Sequence, residues 1–142
     1  MTNLSRLKAA EALFPLLSAF HEINGSVLKT VRQEIYEDSH VGIVLDFESK
    51  SLIIRANPED DTVDFFVVAS SAIEKSDRND VSQTFPWKQF IGKEFGWGWV
   101  SVNQQGYLDG LILSFGGIIP DLIVTVIASS LKLGSVQLRA EL

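Results

Sequence analysis

Apolar and polar positions follow a helical period at the start of the chain and a two-residue period through most of the rest. In residues 3–22, Leu4, Leu7, Phe14 and Leu17, with Leu13 and Phe20 beside them, form one apolar stripe, which predicts a helix. Asn3 suits its N-cap, and Asn24-Gly25 suits its end. Pro15 cannot donate back to Glu11 and predicts a kink or a split. "SVLKTVRQEIYED" (26–38) fits both periods, since Leu28, Val31 and Ile35 also suit a helix. Its β-branched content, with Val27, Val31 and Ile35 on one face, favours a strand. "HVGIVLDF" (40–47) alternates through Val41, Ile43, Leu45 and Phe47. "LIIRAN" (52–57) and "TVDFFVVA" (62–69) follow after the turns "ESKS" and "PEDD", completing a meander.

Residues 74–84, "EKSDRNDVSQT", are polar and without period, as a flexible connection would be. "FPWKQFIGKEFG" predicts a short second helix near 86–92, with Pro86 at its first turn. Strands are then expected at about 97–103, 107–115, 121–129 and 131–138. The fold class is α+β: an antiparallel β-sheet of seven or eight strands in two meanders, packed with the N-terminal helix and the short second one. Residues 1–142 form one domain, with a two-half organisation (1–73 and 85–142) joined by the polar loop. "GIVLDF" at 42 matches "GLILSF" at 110, and "LII" at 52 matches "LIV" at 122, at offsets of 68 and 70. "VVASS" at 67 matches "VIASS" at 126 at an offset of 59, which no alignment can share with the others. Internal duplication and convergent strand composition both account for these matches.

Composition narrows the functional classes. The chain is 46% hydrophobic, so some apolar surface is expected to be covered by another copy. Twelve basic against eighteen acidic residues leave a net charge of −6. That argues against nucleic-acid or anionic-membrane binding, which needs clustered Lys and Arg. The absence of cysteine excludes disulfides, thiolate nucleophiles and Cys-based zinc sites, and fits a cytoplasmic location. The N-terminus reads as a mature helix, not a signal peptide. The apolar run 111–133 is broken by Gly116-Gly117 and Pro120-Asp121, so two buried strands are expected there, not a membrane span.

"GWGWVSVNQQGYLDG" (96–110) is the densest candidate site. "NQQG" suits a hairpin tip with a type I turn and a G1 bulge, Gly106 taking positive φ. A regular register sets Asn103 opposite Tyr107, Ser101 opposite Asp109 and Trp99 opposite Leu111. One face then carries Trp97, Trp99, Ser101, Asn103, Tyr107, Asp109 and Leu111, and the other Gly98, Val100, Val102, Leu108, Gly110 and Ile112. Aromatic walls, amides and one carboxylate would suit a small polar ligand such as a sugar, with Trp97, Trp99, Asn103, Gln105, Tyr107 and Asp109 as its contacts. The structural alternative has the tryptophans covering the sheet, Asn103 and Asp109 tying down the turn, and Ser101, Asn103 or a backbone N–H satisfying Asp109. Gly98 between the tryptophans fits close approach of a packed neighbour.

"WGWVSVNQQGYLDGLILSF" followed by "PDLIVTVIASSLKL" resembles a small bacterial domain family of unknown function. The likeness rests on W-x-W, N-x-x-G-Y-x-D and ASS elements of the C-terminal half. It implies a stand-alone cytoplasmic protein and brings no activity with it.

Other chemistry is thin. His21 and His40 lack metal-ligand spacing, and "PEDDTVD" lacks a calcium loop's glycine and rhythm, so no metal or cofactor is expected. Asp46, Asp109 and Asp121 could supply paired carboxylates only if they converge. Ser70, Ser71, Ser129 and Ser130 lack a nucleophile elbow, and "FGGIIP" lacks the lysine of a phosphate loop. The function expected is therefore a non-enzymatic interaction protein binding itself or a protein partner. The alternative is a small polar-ligand binder or hydrolase using the hairpin face.

Overall fold

The computed structural model describes residues 3–36, 40–57, 59–73 and 78–138. Helix α1 (Asn3–Ile23) precedes strands β1 (Leu28–Tyr36), β2 (His40–Phe47), β3 (Lys50–Asn57), β4 (Thr62–Ala69) and β5 (Arg78–Asp80). Strands β6 (Phe95–Val102), β7 (Leu108–Phe115), β8 (Leu122–Ile127) and β9 (Ser130–Ser135) follow. All strand pairs are antiparallel. They form two sheets, ordered β4-β3-β2-β1-β5 and β6-β7-β8-β9, where the sequence suggests a single sheet.

The sheets pack face to face because each meander has one apolar side. Ile43, Leu45, Phe47, Leu52, Ile54 and Phe65 of the first share a core with Leu111, Leu113, Phe115, Leu122 and Val124 of the second. Helix α1 closes the sandwich against β3, β4 and β6. Its Phe20 stacks on Phe65 of the first sheet at 5.2 Å between centroids and on Phe95 of the second at 5.9 Å. Burying a ring of this size contributes about 2–3 kcal/mol, and here it also ties the two sheets together.

The meanders meet at a local two-fold junction. Val27 and Glu94 form an antiparallel bridge. Around it Gly25 N–H donates to Phe95 O (2.9 Å) and Gly92 N–H to Leu28 O (2.8 Å). Leu28 N–H donates to Lys93 O (2.9 Å) and Phe95 N–H to Ser26 O (2.8 Å). Adding 67 to each number in the first half turns one member of each pair into the other. Gly25 and Gly92 both have positive φ, 79° and 87°. The likeness continues outward. β1 bulges between Leu28 and Thr30 against β2, as β6 does between Phe95 and Trp97 against β7. Leu45 pairs with Leu52 as Leu113 pairs with Leu122. The segments repeated at offsets of 68 and 70 are thus the second and third strands of each meander, in the same register. The ASS segments differ: Ser70–Ala72 is a 3-10 turn, whereas Ala128 and Ser129 are tight-turn residues with φ of 51° and 67°.

Three expectations are corrected. Among the described residues there are nine strands, because part of the segment read as a flexible connection pairs with β1 as β5. Residues 74–77 of that segment lie outside the described residues. Beyond them, Asp80 accepts from Ser82 N–H (2.8 Å), and the buried Ser82 hydroxyl accepts from Val31 N–H (2.8 Å). These side chains do locally what a periodic apolar pattern does elsewhere. The second helix is only the 3-10 turn Trp87–Gln89, since Gly92 turns left-handed within a few residues. Finally, of the kink or split expected at Pro15 the split is overturned: α1 continues through it as one helical element, with Ser18 Oγ–H donating to Pro15 O (2.6 Å).

Candidate functional site

The hairpin tip forms as its composition predicts. Gly106 N–H donates to Asn103 O and Asn103 N–H to Tyr107 O, each at 2.9 Å, and Gly106 has φ of 88°. Asn103 Oδ1 accepts from Gln105 N–H (2.9 Å) and Tyr107 N–H (3.2 Å), so this amide oxygen serves the turn. Below the tip the register departs from the regular one. Val102 pairs with Leu108 but Ser101 with Gly110, leaving Asp109 as an extra residue in a bulge.

One inserted residue exchanges the faces of everything beyond it. Trp99 pairs with Ile112, not Leu111, and Leu111 points into the core with no exposed surface. Ile112 and Gly110 lie on the tryptophan side, and Val102, expected in the core, is 44% exposed. The six candidate contacts do not converge. Trp97 is six residues from Asn103 along an extended strand, roughly 20 Å. Asn103, Gln105 and Tyr107 are exposed at the tip. Asp109 accepts from Thr125 Oγ–H through its backbone oxygen (2.8 Å). Its carboxylate has no hydrogen-bond partner among the described residues, so the expected satisfaction by Ser101, Asn103 or a backbone N–H is not found.

The bulge instead builds a different surface. On the outer side of the second sheet, Trp99, Ile112, Ile123 and Gly134 form one cross-strand row, and Ser101, Gly110, Thr125 and Lys132 the next. Trp97 and Ile127 extend this face and are 52% and 57% exposed. The β7–β8 loop lies at the Trp97 end, where Ser114 Oγ–H donates to Gly117 O (2.6 Å), and it carries the exposed Ile118 and Ile119. Trp97 also borders a groove of about 280 Å³ between α1 and β6, beside Leu17, His21 and Asn24.

The outer side of the first sheet is ionic. Asp46 Oδ2 accepts from Thr30 Oγ–H (2.7 Å) and Arg32 Nε–H (2.9 Å). Its Oδ1 accepts from Arg32 Nη2–H (3.0 Å) and Ser51 Oγ–H (2.6 Å). Arg55 Nε–H donates to Glu34 (2.7 Å), and its guanidinium lies 5.5 Å from the Phe66 ring centre. Beneath these side chains Val44 and Ile53 are buried. Burial pushes the Asp46 carboxyl up, but the hydrogen bonds from Arg32, Ser51 and Thr30, with the Arg32 charge, outweigh it and hold the group below its ordinary value. Asp80 is also lowered, chiefly by hydrogen bonds from Ser82.

This network lines a cleft of about 660 Å³ with Lys29, Glu48, Ser70, Ser71 and Asp80. Sequence reasoning missed it. Its signal was the polar set Thr30, Arg32 and Glu34 at alternate positions of a strand whose other face carries Val31 and Ile35. Asp46, Asp109 and Asp121 do not pair: Asp46 lies on the first sheet, and Asp121 accepts from Phe115 N–H (2.8 Å) on the second. Asp61 of the acidic turn accepts from Ser129 N–H (2.8 Å), tying the β3–β4 turn to the β8–β9 turn. No group of metal-binding side chains occurs among the described residues, and no helix among them is long and apolar enough to cross a membrane. The side chain of His40 lies outside the described set.

Fold and surface together define an α+β protein: two antiparallel sheets closed by one helix, ionic on one outer face and apolar on the other. The chain belongs to the family of unknown function DUF6334, whose model matches residues 11–139 and so spans both halves. No curated protein and no solved structure matches it.

Proposed function

We propose that this is a non-enzymatic interaction protein of the bacterial cytoplasm, binding itself or another protein through the outer face of its second sheet. The observation that carries the reading is the run of exposed apolar groups on that face. Trp97 is 52%, Ile118 71% and Ile119 65% exposed, next to the half-buried Trp99, Ile112 and Ile123. Contiguous apolar surface of this kind marks interaction sites. The small-ligand alternative loses its support, because the tip residues and the tryptophans stand too far apart to hold one small molecule. The ionic cleft is no better placed for acid–base work. All four lone-pair positions of Asp46 are taken by donors, so none remains to accept a proton from a substrate.

The test is a photo-crosslinking residue, p-benzoylphenylalanine, in place of Trp97 in the full chain, irradiated in living cells. A discrete protein adduct is expected from position 97 and none from Glu48, on the other sheet. Absence of an adduct at 97, or equal labelling at both positions, would overturn the reading.

A further inference from the structure

We propose that the occupant of the outer face of the second sheet is a second copy of this chain, docked face to face about a two-fold axis. This rests on the interaction reading above and names its partner. The first half of the molecule serves as an internal control for what such a face needs. Under the equivalence set by the Val27–Glu94 junction and the two matched bulges, Arg32 corresponds to Trp99, Val44 to Ile112, Ile53 to Ile123 and Phe66 to Gly134. In the first sheet the central pair, Val44 and Ile53, is 0% and 4% exposed. The cover comes from within the chain: Arg32 held by Asp46, Arg55 held by Glu34, and Phe66. At the corresponding places the second sheet has Ser114 for Asp46, Ser101 for Glu34, Thr125 for Arg55 and Gly134 for Phe66. None of these is long enough to reach over Ile112 and Ile123, which are only half-buried where Val44 and Ile53 are buried. Of the three covering side chains only the place of Arg32 keeps a large group, Trp99; the cover given by Arg55 and Phe66 is lost.

Three features point to another copy as the replacement. The face is raised on one side and hollow on the other. Trp97 and Trp99 stand along β6, while on β9, at the far edge, Gly134 next to Lys132 has no side chain. A two-fold axis through the middle of the face sets the tryptophan ridge of one copy over the glycine side of the other, twice, as an isologous contact requires. The face is also nearly uncharged, Lys132 being the one charge along its β6–β9 rows. A partner selected by charge would find little to pair with, whereas two chains of net charge −6 can meet here with least repulsion. Its size sets the strength. A face four strands wide and about seven residues long projects roughly 450 Å². This is below the ~800 Å² per partner of a standard stable interface, even before the Ile118–Ile119 loop adds to it. The pair is therefore weak and reversible, in the micromolar range or above.

Sedimentation and light scattering over a concentration series of the full chain test this. The mass should rise from 15.7 kDa towards twice that value. Trp97→Asp and Gly134→Leu, the second filling the hollow, should each raise the midpoint concentration at least tenfold while leaving the circular dichroism unchanged. A constant mass of 15.7 kDa up to ~1 mM, or a dimer indifferent to both substitutions, would overturn the second copy as occupant. Should both variants fail to fold, the adduct formed at position 97 decides. A homodimeric adduct mapping to β9 supports the proposal, and one mapping elsewhere on the chain overturns it. An adduct with a different protein, from a chain monomeric in solution, overturns the second copy and leaves the interaction reading standing. No adduct at all removes both.

Discussion

Gly98 lies under the ring of Phe20, so close that a Cβ built on it would be 2.5 Å from Cδ1 of that ring. Phe20 is also held by Phe65 and Phe95, one from each sheet, so it cannot swing aside without opening the seam between them. Gly98→Ala is therefore expected to cost about 1–3 kcal/mol through overpacking. Chemical denaturation measures it. A midpoint equal to wild type would mean that α1 can slide on β6 at no cost.

Asp46 gives the molecule an acid-sensitive seam. Its pKa in the folded protein lies below its ordinary value of 3.8, so the native state binds its proton less readily than the unfolded chain. The stabilisation is complete above the ordinary carboxylate range and is lost as the pH falls through 3.8 and on through the lower folded value. Asp46→Asn should flatten the acid limb of a stability-versus-pH curve. At neutral pH it should cost about 2–4 kcal/mol, because Arg32, with a side chain only 14% exposed, keeps its charge and loses its partner. An unchanged acid limb would show that the carboxylate does not titrate with folding.

Gly106 sits at φ of 88°, where a β-branched side chain is strained. Gly106→Val should destabilise the fold by about 1–2 kcal/mol, read as a lower denaturant midpoint at unchanged slope. No loss would mean that the tip has refolded into another turn.

Several of these features were legible before any coordinates, and the reasons differ. Gly106 and Gly98 were readable because glycine is favoured at a left-handed turn position and is needed in a strand pressed against a neighbour. Each leaves its mark on a single residue. The strands of both meanders were readable because one face of each is apolar, and a two-residue period survives small errors at the ends. The bulge at Asp109 was not readable. An extra residue in a strand changes neither composition nor period enough to notice, yet it moved Leu111 into the core and Ile112 out of it. The division into two sheets was hidden for a related reason: the inner faces of a sandwich carry the same alternation as a single sheet packed on helices. Strand β5 was hidden because Arg78-Asn79-Asp80 has no apolar face. It is held at the edge by backbone pairing with β1 and by Ser82. The ionic seam at Asp46 was missed because its members come from different strands, and register, not spacing, brings them together.

Asp109 is where sequence and structure part most sharply, and so it makes the sharpest test. A carboxylate between Leu108 and Gly110 in a sheet would ordinarily be held by a donor, and losing its charge would then cost about 1–3 kcal/mol. The bulge changes that. It turns Ser101 to face Gly110, and Asn103 Oδ1 is engaged by Gln105 and Tyr107. Within the described residues only the backbone oxygen of Asp109 is bonded, to Thr125. Asp109→Asn keeps that oxygen and the bulge, and removes a charge that no described residue hydrogen-bonds, in a chain already at −6. Thermal unfolding of the variant is therefore expected within about 0.5 kcal/mol of wild type, as for substitutions away from any buried network. In contrast, Thr125→Val removes the hydroxyl that ties the bulge to β8 and should cost about 1 kcal/mol or more, since the Asp109 carbonyl loses its donor. If Asp109→Asn proves the more damaging of the two, the carboxylate has a partner that this geometry does not provide, and the bulge is held by its side chain and not by its backbone.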